Sequence, residues 1–193
     1  MKKKLTMLIV GGMLCLVYPA YAQRPQPLKL NQKIPNKLLE ARMPVLFDQG
    51  GKRDSLKLSD YQGKVILLDF WASWCTICIN KFPALDAIQR EFSSDLQIVL
   101  VNSKNTRDKI DQIIQRMKGD NKFGFSTTLP SIYGDTVLNA LFPLTYLPHY
   151  VWLGPKGDLI AITDAELVSR DFVKVMIEGV KSKQLMAKKP KGS

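Results

Sequence analysis

Residues 65–78 read VILLDFWASWCTIC, and this stretch decides the fold of the 193-residue chain. Val65–Phe70 is apolar on both faces, which is typical of a central strand covered by helices. Trp71–Cys75 then links this strand to a helix that is predicted to run to about Phe92. Two cysteines three residues apart at a helix start lie on one turn, close enough to form a disulfide.

The two cysteines are predicted to differ in reactivity. Cys75 lies at the helix N-terminus, where unpaired N–H groups and the helix dipole favour its thiolate. Cys78 lies one turn further in and is expected to be more buried and less reactive. This asymmetry suits an attacking cysteine followed by a resolving one. An inert structural disulfide stays open as the alternative.

The sequence on either side predicts a mixed α/β domain with a parallel centre and an antiparallel edge. Strands are indicated by short apolar runs, helices by apolar residues at i, i+3, i+4 and i+7, and the turns between them by Gly and Pro. The predicted order begins with a hairpin at Val45–Phe47 and Asp54–Leu58, the strand Val65–Phe70, the helix to about Phe92, the strand Leu96–Val101 and the helix Thr106–Lys118. A less regular stretch follows at 119–143, with a short helix at 135–142. The chain then forms a hairpin at Tyr150–Leu153 and Leu159–Thr163 and a last helix capped by Ser169.

The N-terminal residues 1–22 have the organisation of a secretory signal peptide. They contain Lys2–Lys4 as a positive region, Leu5–Tyr18 as an apolar run and Ala20–Ala22 as a small–any–small cleavage pattern. As a helix the apolar run would rise about 21 Å, short of the ~30 Å hydrocarbon core of a bilayer. An uncleaved membrane anchor and lipid attachment at Cys15 stay open as alternatives.

Composition excludes several classes of protein. With 46% hydrophobic and 23% charged residues, the chain is not disordered throughout. Three cysteines exclude a disulfide-stapled miniprotein, and one histidine disfavours a Ser-His-Asp hydrolase. The cysteine pair and the single histidine offer too few donors for a structural zinc site, so no metal is expected. The net charge of +11 leaves an anionic partner open, although nucleic-acid binding has little support because aromatic residues do not interleave with the basic ones.

The stretch Asp69–Cys78 resembles the active-site stretch of the thioredoxin superfamily. Together with the upstream hairpin and the segment Leu56–Lys64, it resembles the exported TlpA-like branch of thiol–disulfide oxidoreductases. The resemblance covers roughly residues 40–180. It implies a thioredoxin-like fold with a mixed central sheet flanked by helices and an N-terminal β-hairpin extension.

The resemblance also implies roles for residues outside the cysteine pair. The family keeps a cis-proline at the position of Pro148, where it exposes the backbone of Leu147 for pairing with a substrate strand. Apart from the resemblance, Trp71 and Trp74 are expected to shape the apolar surface around Cys75, with a packing role alone as the alternative, and Trp74 is the predicted substrate contact. Asp69 matches a buried acid beneath the resolving cysteine, where burial raises its pKa and lets it accept the Cys78 proton. A strand-end carboxylate paired with a lysine is the alternative for Asp69.

Other residues receive no catalytic role from the sequence. Thr76 and Ile77 stand where thioredoxin itself has Gly-Pro, a difference that changes the reduction potential. His149 either stabilises a thiolate or points to solvent, and Lys81 is expected to be a solvated charge. Pro83 matches the proline that kinks the active-site helix.

The resulting prediction is an exported thiol–disulfide oxidoreductase that reduces protein disulfides through a mixed disulfide of Cys75, with Cys78 as the resolving cysteine. Its expected partners are disulfide-bearing exported proteins and a membrane or envelope thiol donor. We expect a monomer in the periplasm or cell envelope, with no cofactor. A disulfide-forming oxidase or isomerase, a thiol peroxidase and a non-catalytic peptide-binding module are the alternatives.

The predicted domain organisation has four parts. Residues 1–22 form the signal peptide, 23–39 a linker or arm, 40–182 the thioredoxin-like domain, and 183–193 a basic tail. The tail is either a disordered solubilising end or a segment attracted to an acidic membrane surface.

Overall fold

The computed structural model describes residues 25–188 of the chain. Its elements are α1 (Asn36–Leu39), β1 (Met43–Phe47), β2 (Lys52–Leu56), β3 (Val65–Trp71), α2 (Thr76–Glu91), β4 (Leu96–Ser103), α3 (Ile110–Lys118), β5 (Ser131–Asp135), α4 (Leu138–Leu141), β6 (His149–Leu153), β7 (Leu159–Thr163) and α5 (Arg170–Lys188). Short 3₁₀ turns cover Leu58–Tyr61 and Lys104–Thr106.

The described strands form one seven-stranded sheet in the order β2-β1-β5-β4-β3-β6-β7. Strands β3, β4 and β5 are parallel to one another, whereas β1, β2, β6 and β7 pair antiparallel. The mixed sheet with a parallel centre, the N-terminal hairpin and the second hairpin are therefore as predicted.

Strand β3 lies in the middle of the core, and all seven of its residues are buried. Successive side chains point to opposite faces of a sheet. Leu67 and Trp71 join the apolar cluster formed with α2, α3 and α5, while Leu68 and Phe70 join a second cluster on the other face. The continuous apolar run is thus explained by helices and loops that cover both sides of this strand.

Strand β5 was not predicted, because the sequence indicates only irregular structure in the stretch 119–143. The strand is short and contains Gly134, yet it pairs with β1 on one side and β4 on the other. The helix predicted at 135–142 is confined to Leu138–Leu141. Asp135 ends the strand, and its carboxylate accepts hydrogen bonds from the amides of 137–139, at the start of that helix.

The start of α3 also differs from the prediction. The sequence predicts a helix from Thr106, but residues Lys104–Thr106 form a 3₁₀ turn and α3 begins at Ile110. Arg107 between them has a left-handed backbone with φ of 61°, which interrupts any helix. At the C-terminus, Ser169 accepts a hydrogen bond from the Phe172 amide and caps α5, as predicted.

The described part of the predicted arm, residues 25–39, is hydrogen-bonded to the rest of the domain. The Leu28 amide donates to the Leu141 carbonyl, and the Ile34 amide donates to the Gly157 carbonyl. The side chain of Ile34 is only 1% exposed and belongs to the second apolar cluster. The arm therefore covers one face of the sheet.

The predicted signal peptide at 1–22, with Cys15, lies outside the described residues. Helix α5 continues to Lys188, six residues into the segment 183–193 predicted as a basic tail. Among the described helices, none combines the length and the apolar character needed to cross a membrane.

Replacing Ile34 with alanine tests whether the arm belongs to the folded core. We expect Ile34→Ala to lower the free energy of unfolding by about 2–4 kcal/mol, because it removes a buried side chain and leaves a cavity. Leu30→Ala in the same arm is the control, since Leu30 is 60% exposed. Urea unfolding measures both variants, and equal effects would contradict the packed arm.

Candidate active site

The cysteine pair lies directly after β3, at the start of α2. Cys75 is the N-cap of α2, and a disulfide joins it to Cys78 with an S–S distance of 2.03 Å. The Cys78 amide donates to Cys75 Sγ at 3.3 Å. Cys75 is 7% exposed, whereas Cys78 is completely buried. An incoming thiol or disulfide can therefore reach only Cys75 without a change in structure.

The partly buried carboxylate of Asp108 holds the turn that precedes Cys75. The Ser73 amide and hydroxyl donate to Asp108 at 2.7 and 2.6 Å, and Asn102 Nδ2 donates to the same carboxylate at 2.7 Å. Arg116 Nε donates to the Ser73 carbonyl at 3.1 Å. The N–H and the C=O of Ser73, two residues before Cys75, are thus both held by hydrogen bonds.

Asp108 and Arg116 were missed by the sequence analysis. Asp108 is 35 residues from Ser73 and Arg116 is 43 residues from it, so no local spacing links them. Asp108 lies between the 3₁₀ turn after β4 and the start of α3, and Arg116 lies in the last turn of α3; the fold brings both to the cysteine turn. No signal in a single sequence distinguishes Asp108 from the exposed Asp111 three residues later.

The bond between Leu147 and Pro148 is cis and lies immediately before β6. Strand β6 runs beside β3, with His149 opposite Phe70, so this bond is at the end of the sheet from which the chain continues to Cys75. Leu147 is partly buried and packs against both apolar clusters. The structure therefore places these two residues at the same end of the sheet as the cysteine turn.

Exposed apolar side chains lie in the segments around the cysteine pair. Trp74 is 64% exposed, Ile77 is 58% exposed and Tyr146 is 56% exposed. Trp74 Nε1 also donates a long hydrogen bond of 3.4 Å to the Thr106 carbonyl. These side chains provide apolar surface that a partner protein can cover.

Asp69 is completely buried in β3, on the face shared with Leu67, Trp71 and the α2 helix. Neither of its carboxylate oxygens has a hydrogen-bond partner within the described part of the chain. Burial raises the pKa of Asp69 well above its usual value, and the charge of Lys81 opposes this only in part. Asp69 is thus a candidate proton acceptor on the side of the sheet that carries Cys78.

Tyr150 lies opposite Asp69 in the β3–β6 pairing, and its hydroxyl also lacks a partner among the described residues. Burial and the nearby Asp69 charge raise the pKa of Tyr150 above its usual value. Tyr150 therefore remains a neutral phenol beside the carboxyl group.

His149 is buried on the opposite face of the sheet from Asp69. Its ring lies edge-on to Phe70 and Tyr146, with centroid distances of 5.9 and 6.2 Å. Neither ring nitrogen has a hydrogen-bond partner in the described structure, and burial lowers the pKa of His149. The structure therefore does not place this imidazole in solvent, and burial favours its uncharged form.

Within residues 25–188, no group of three or more His, Cys, Asp and Glu side chains is arranged to hold a metal ion. The described site offers its two cysteines and, on the same side of the sheet, the buried carboxyl group of Asp69.

Comparisons with known proteins agree with this geometry. The family model described as Redoxin matches residues 29–166. "Thioredoxin-like protein YneN" of Bacillus subtilis is 27% identical over 153 residues, which cover 79% of this chain and 82% of that protein. "Thiol-disulfide oxidoreductase ResA" of the same organism is 25% identical over 191 residues, covering 93% of this chain and 98% of that protein.

Two solved structures show the same architecture. The exposed lipoprotein thioredoxin Etrx1 from Streptococcus pneumoniae has a TM-score of 0.56 and 26% identity, covering 72% of this chain and 99% of that one. The thioredoxin domain of thiol-disulfide oxidoreductase BVU-2223 from Bacteroides vulgatus has a TM-score of 0.55 and 19% identity, covering 79% and 97%. The predicted thioredoxin-like fold is confirmed.

Replacing Asp108 with alanine tests the carboxylate that holds the cysteine turn. We expect Asp108→Ala to lower the free energy of unfolding by about 2–3 kcal/mol, because buried donors of Ser73 and Asn102 lose a charged acceptor. The exposed Asp111→Ala is the matched control and is expected to change stability by less than about 0.5 kcal/mol. Denaturant unfolding of the oxidised protein measures both, and equal stabilities would contradict a structural role for Asp108.

Proposed function

Since this chain belongs to the Redoxin family, we propose that it is an exported reductase of protein disulfides that works through Cys75 and Cys78. The chain is a thiol–disulfide oxidoreductase of the thioredoxin superfamily and is TlpA-like. The observation that carries the proposal is the unequal burial of two bonded cysteines at a helix start. One sulfur is accessible to a partner, and the other is in reach only of its neighbour.

The proposed first step uses the reduced pair. The thiolate of Cys75 attacks one sulfur of a disulfide in the partner protein, and the other partner sulfur leaves as a thiolate. The position of Cys75 at the N-cap supports this step, because the helix dipole and the Cys78 amide stabilise negative charge on Cys75 Sγ. A mixed disulfide between Cys75 and the partner results.

The proposed second step resolves that mixed disulfide. Cys78 gives its proton to Asp69, and the Cys78 thiolate attacks Cys75 Sγ. The remaining partner sulfur leaves and takes up a proton, so the partner has gained two electrons and the protein has an oxidised pair. Asp69 is supported as the acceptor by its burial and by its raised pKa, which makes it a stronger base than an exposed carboxylate.

The proposed substrate contacts lie around the accessible sulfur. The backbone of Leu147, before the cis bond to Pro148, would pair with an extended segment of the partner, and Trp74 would cover that segment with apolar surface. The position of Leu147 and Pro148 at the same end of the sheet as the cysteine turn and the 64% exposure of Trp74 support this assignment.

Export is proposed from the signal-like residues 1–22, which place the protein in the periplasm or cell envelope, either soluble after cleavage or anchored if uncleaved. The name of the pneumococcal relative describes that protein as an exposed lipoprotein, which supports an extracytoplasmic site for this chain. Its substrates would be disulfide-bearing exported proteins, and a membrane or envelope thiol protein would return the pair to the reduced state. We propose that it acts as a monomer without a cofactor.

The reduction potential of the Cys75–Cys78 pair tests the direction of electron flow. We expect a value near or below about −230 mV, on the thioredoxin side of the known range, measured by equilibration with glutathione or dithiothreitol and thiol trapping. A value near about −120 mV would instead assign a disulfide-forming oxidant.

Cysteine variants complete that test. Cys75→Ser should abolish disulfide reduction, whereas Cys78→Ser should accumulate the mixed disulfide with the partner, which mass spectrometry detects. A Cys75→Ser protein that kept full biological activity would assign a non-catalytic peptide-binding module instead.

The variant Asp69→Asn tests the proton acceptor. In the native protein the rate at which the mixed disulfide resolves should rise with pH as Asp69 loses its proton, because only the carboxylate can accept the Cys78 proton. In Asp69→Asn this rise should disappear and resolution near neutral pH should be slower by about 10²-fold or more. Stopped-flow measurement of resolution against pH, with exposed Asp111→Asn as the control, distinguishes the two.

The same variant has an expected effect on stability. Because the pKa of Asp69 is raised, the folded state keeps the proton to a higher pH than the unfolded chain does. The native protein therefore loses stability as pH rises from about 3.9, the usual value for aspartate, to the raised value. Asp69→Asn should gain stability relative to the native protein across that window, and an equal difference at pH 4 and pH 8 would refute the raised pKa.

A further inference from the structure

A cleft of about 230 Å³ lies beside the accessible cysteine. The residues on both sides of Cys75, Trp74 and Thr76, line it, and so does Ser73. Its opposite wall comes from the end of α3 and the loop that follows, through Arg116, Lys122 and other residues of 121–123. The cleft is therefore within reach of a side chain that flanks a sulfur bound to Cys75.

The cleft carries two cations and, among the described residues that line it, no carboxylate. Lys122 is exposed, and its Nζ lies 4.7 Å from the centre of the Phe123 ring. Arg116 donates from Nε to the Ser73 carbonyl and from Nη1 to the Asp120 carbonyl. Its Nη2 donates to no acceptor within residues 25–188 and remains available to a ligand.

The carboxylate of Asp108 makes no ion pair with Arg116 or Lys122 in the described structure. Both oxygens of Asp108 accept hydrogen bonds from Ser73 and Asn102. The carbonyl of Asp120, rather than its carboxylate, receives the Arg116 bond. Arg116 and Lys122 thus line the cleft together with two aromatic residues, Trp74 and Phe123. An acidic side chain with an apolar stem complements such a surface.

We propose that this cleft binds an aspartate or glutamate side chain next to the disulfide of the substrate, so that the protein prefers acidic segments. The inference rests on the proposed function, because it names a substrate class for the same Cys75 site. Lys122 and the free Nη2 of Arg116 supply the attraction, and the fixed turn at Ser73 keeps the cleft beside the sulfur.

Two activated peptides test the preference. Each has one cysteine as its mixed disulfide with 2-thiopyridine, flanked in one peptide by glutamates and in the other by glutamines. The protein is the full chain with Cys15→Ser and Cys78→Ser, so that Cys75 is its only thiol. Its thiolate attacks the peptide sulfur, forms the protein–peptide disulfide and releases thiopyridone, a chromophore that reports the rate.

The expected result is a faster reaction with the glutamate peptide. At about 0.1 M salt, where the Debye length is about 10 Å, we expect a preference of roughly three- to tenfold over the glutamine peptide. At about 1 M salt the ratio should fall towards one. The variant Lys122→Glu should bring the ratio to about one or below.

The control Lys118→Glu makes the same change of charge at an exposed residue of α3 that does not line the cleft. It should keep most of the preference, and an equal loss in both variants would show a general charge effect and overturn the inference. A ratio of one in the unsubstituted cleft, or an equal slowing of both peptides by Lys122→Glu, would also overturn it.

Failure of the inference is distinct from failure of the proposed function. If both peptides react quickly with Cys75 and at the same rate, the oxidoreductase chemistry stands and only the acidic preference is wrong. If neither peptide reacts faster with the protein than with free glutathione, the activated nucleophile itself is wrong, and with it the proposed function.

Discussion

Burial of β3 on both faces is the constraint on which the rest of this structure depends. A strand with helices on one side and the N-terminal arm and a short helix on the other cannot shift by one residue without exchanging the two faces. Its register therefore determines where the chain leaves the sheet, and with that the position of Cys75 at the start of α2. The sulfur of Cys75 is accurately placed because the strand that precedes it is inaccessible to water.

The same strand places two titratable groups in opposite surroundings. Asp69 faces the α2 side of the sheet, and His149, paired with the next residue of β3, faces the other. Burial favours the uncharged form of each, so the pKa of the acid rises and that of the base falls. The sheet separates these groups, so the chemistry proposed for Asp69 proceeds without a charged imidazole beside it.

Local pattern was sufficient to predict the central strand, both hairpins and the asymmetric cysteine pair, because each depends on residues close together in sequence. Strand β5 was missed because it contains few apolar residues and a glycine, and its pairing with β1 and β4 comes from tertiary packing. Asp108 and Arg116 were missed because more than thirty residues separate them from the turn they hold. The packing of the N-terminal arm could not be predicted from local pattern either, because the buried Ile34 stands alone in a proline-rich stretch without a helical or strand period.

His149 has a practical consequence, because it is the sole histidine in the sequence. Its imidazole lies between the rings of Phe70 and Tyr146 and directly follows the cis bond at Pro148. Ring currents from these neighbours shift the imidazole protons away from their ordinary frequencies. The imidazole protons of His149 thus give the histidine resonances of an unlabelled sample, and they report on the edge of the cysteine site. Docking of a second polypeptide there can be followed by proton spectroscopy without a label or an introduced probe.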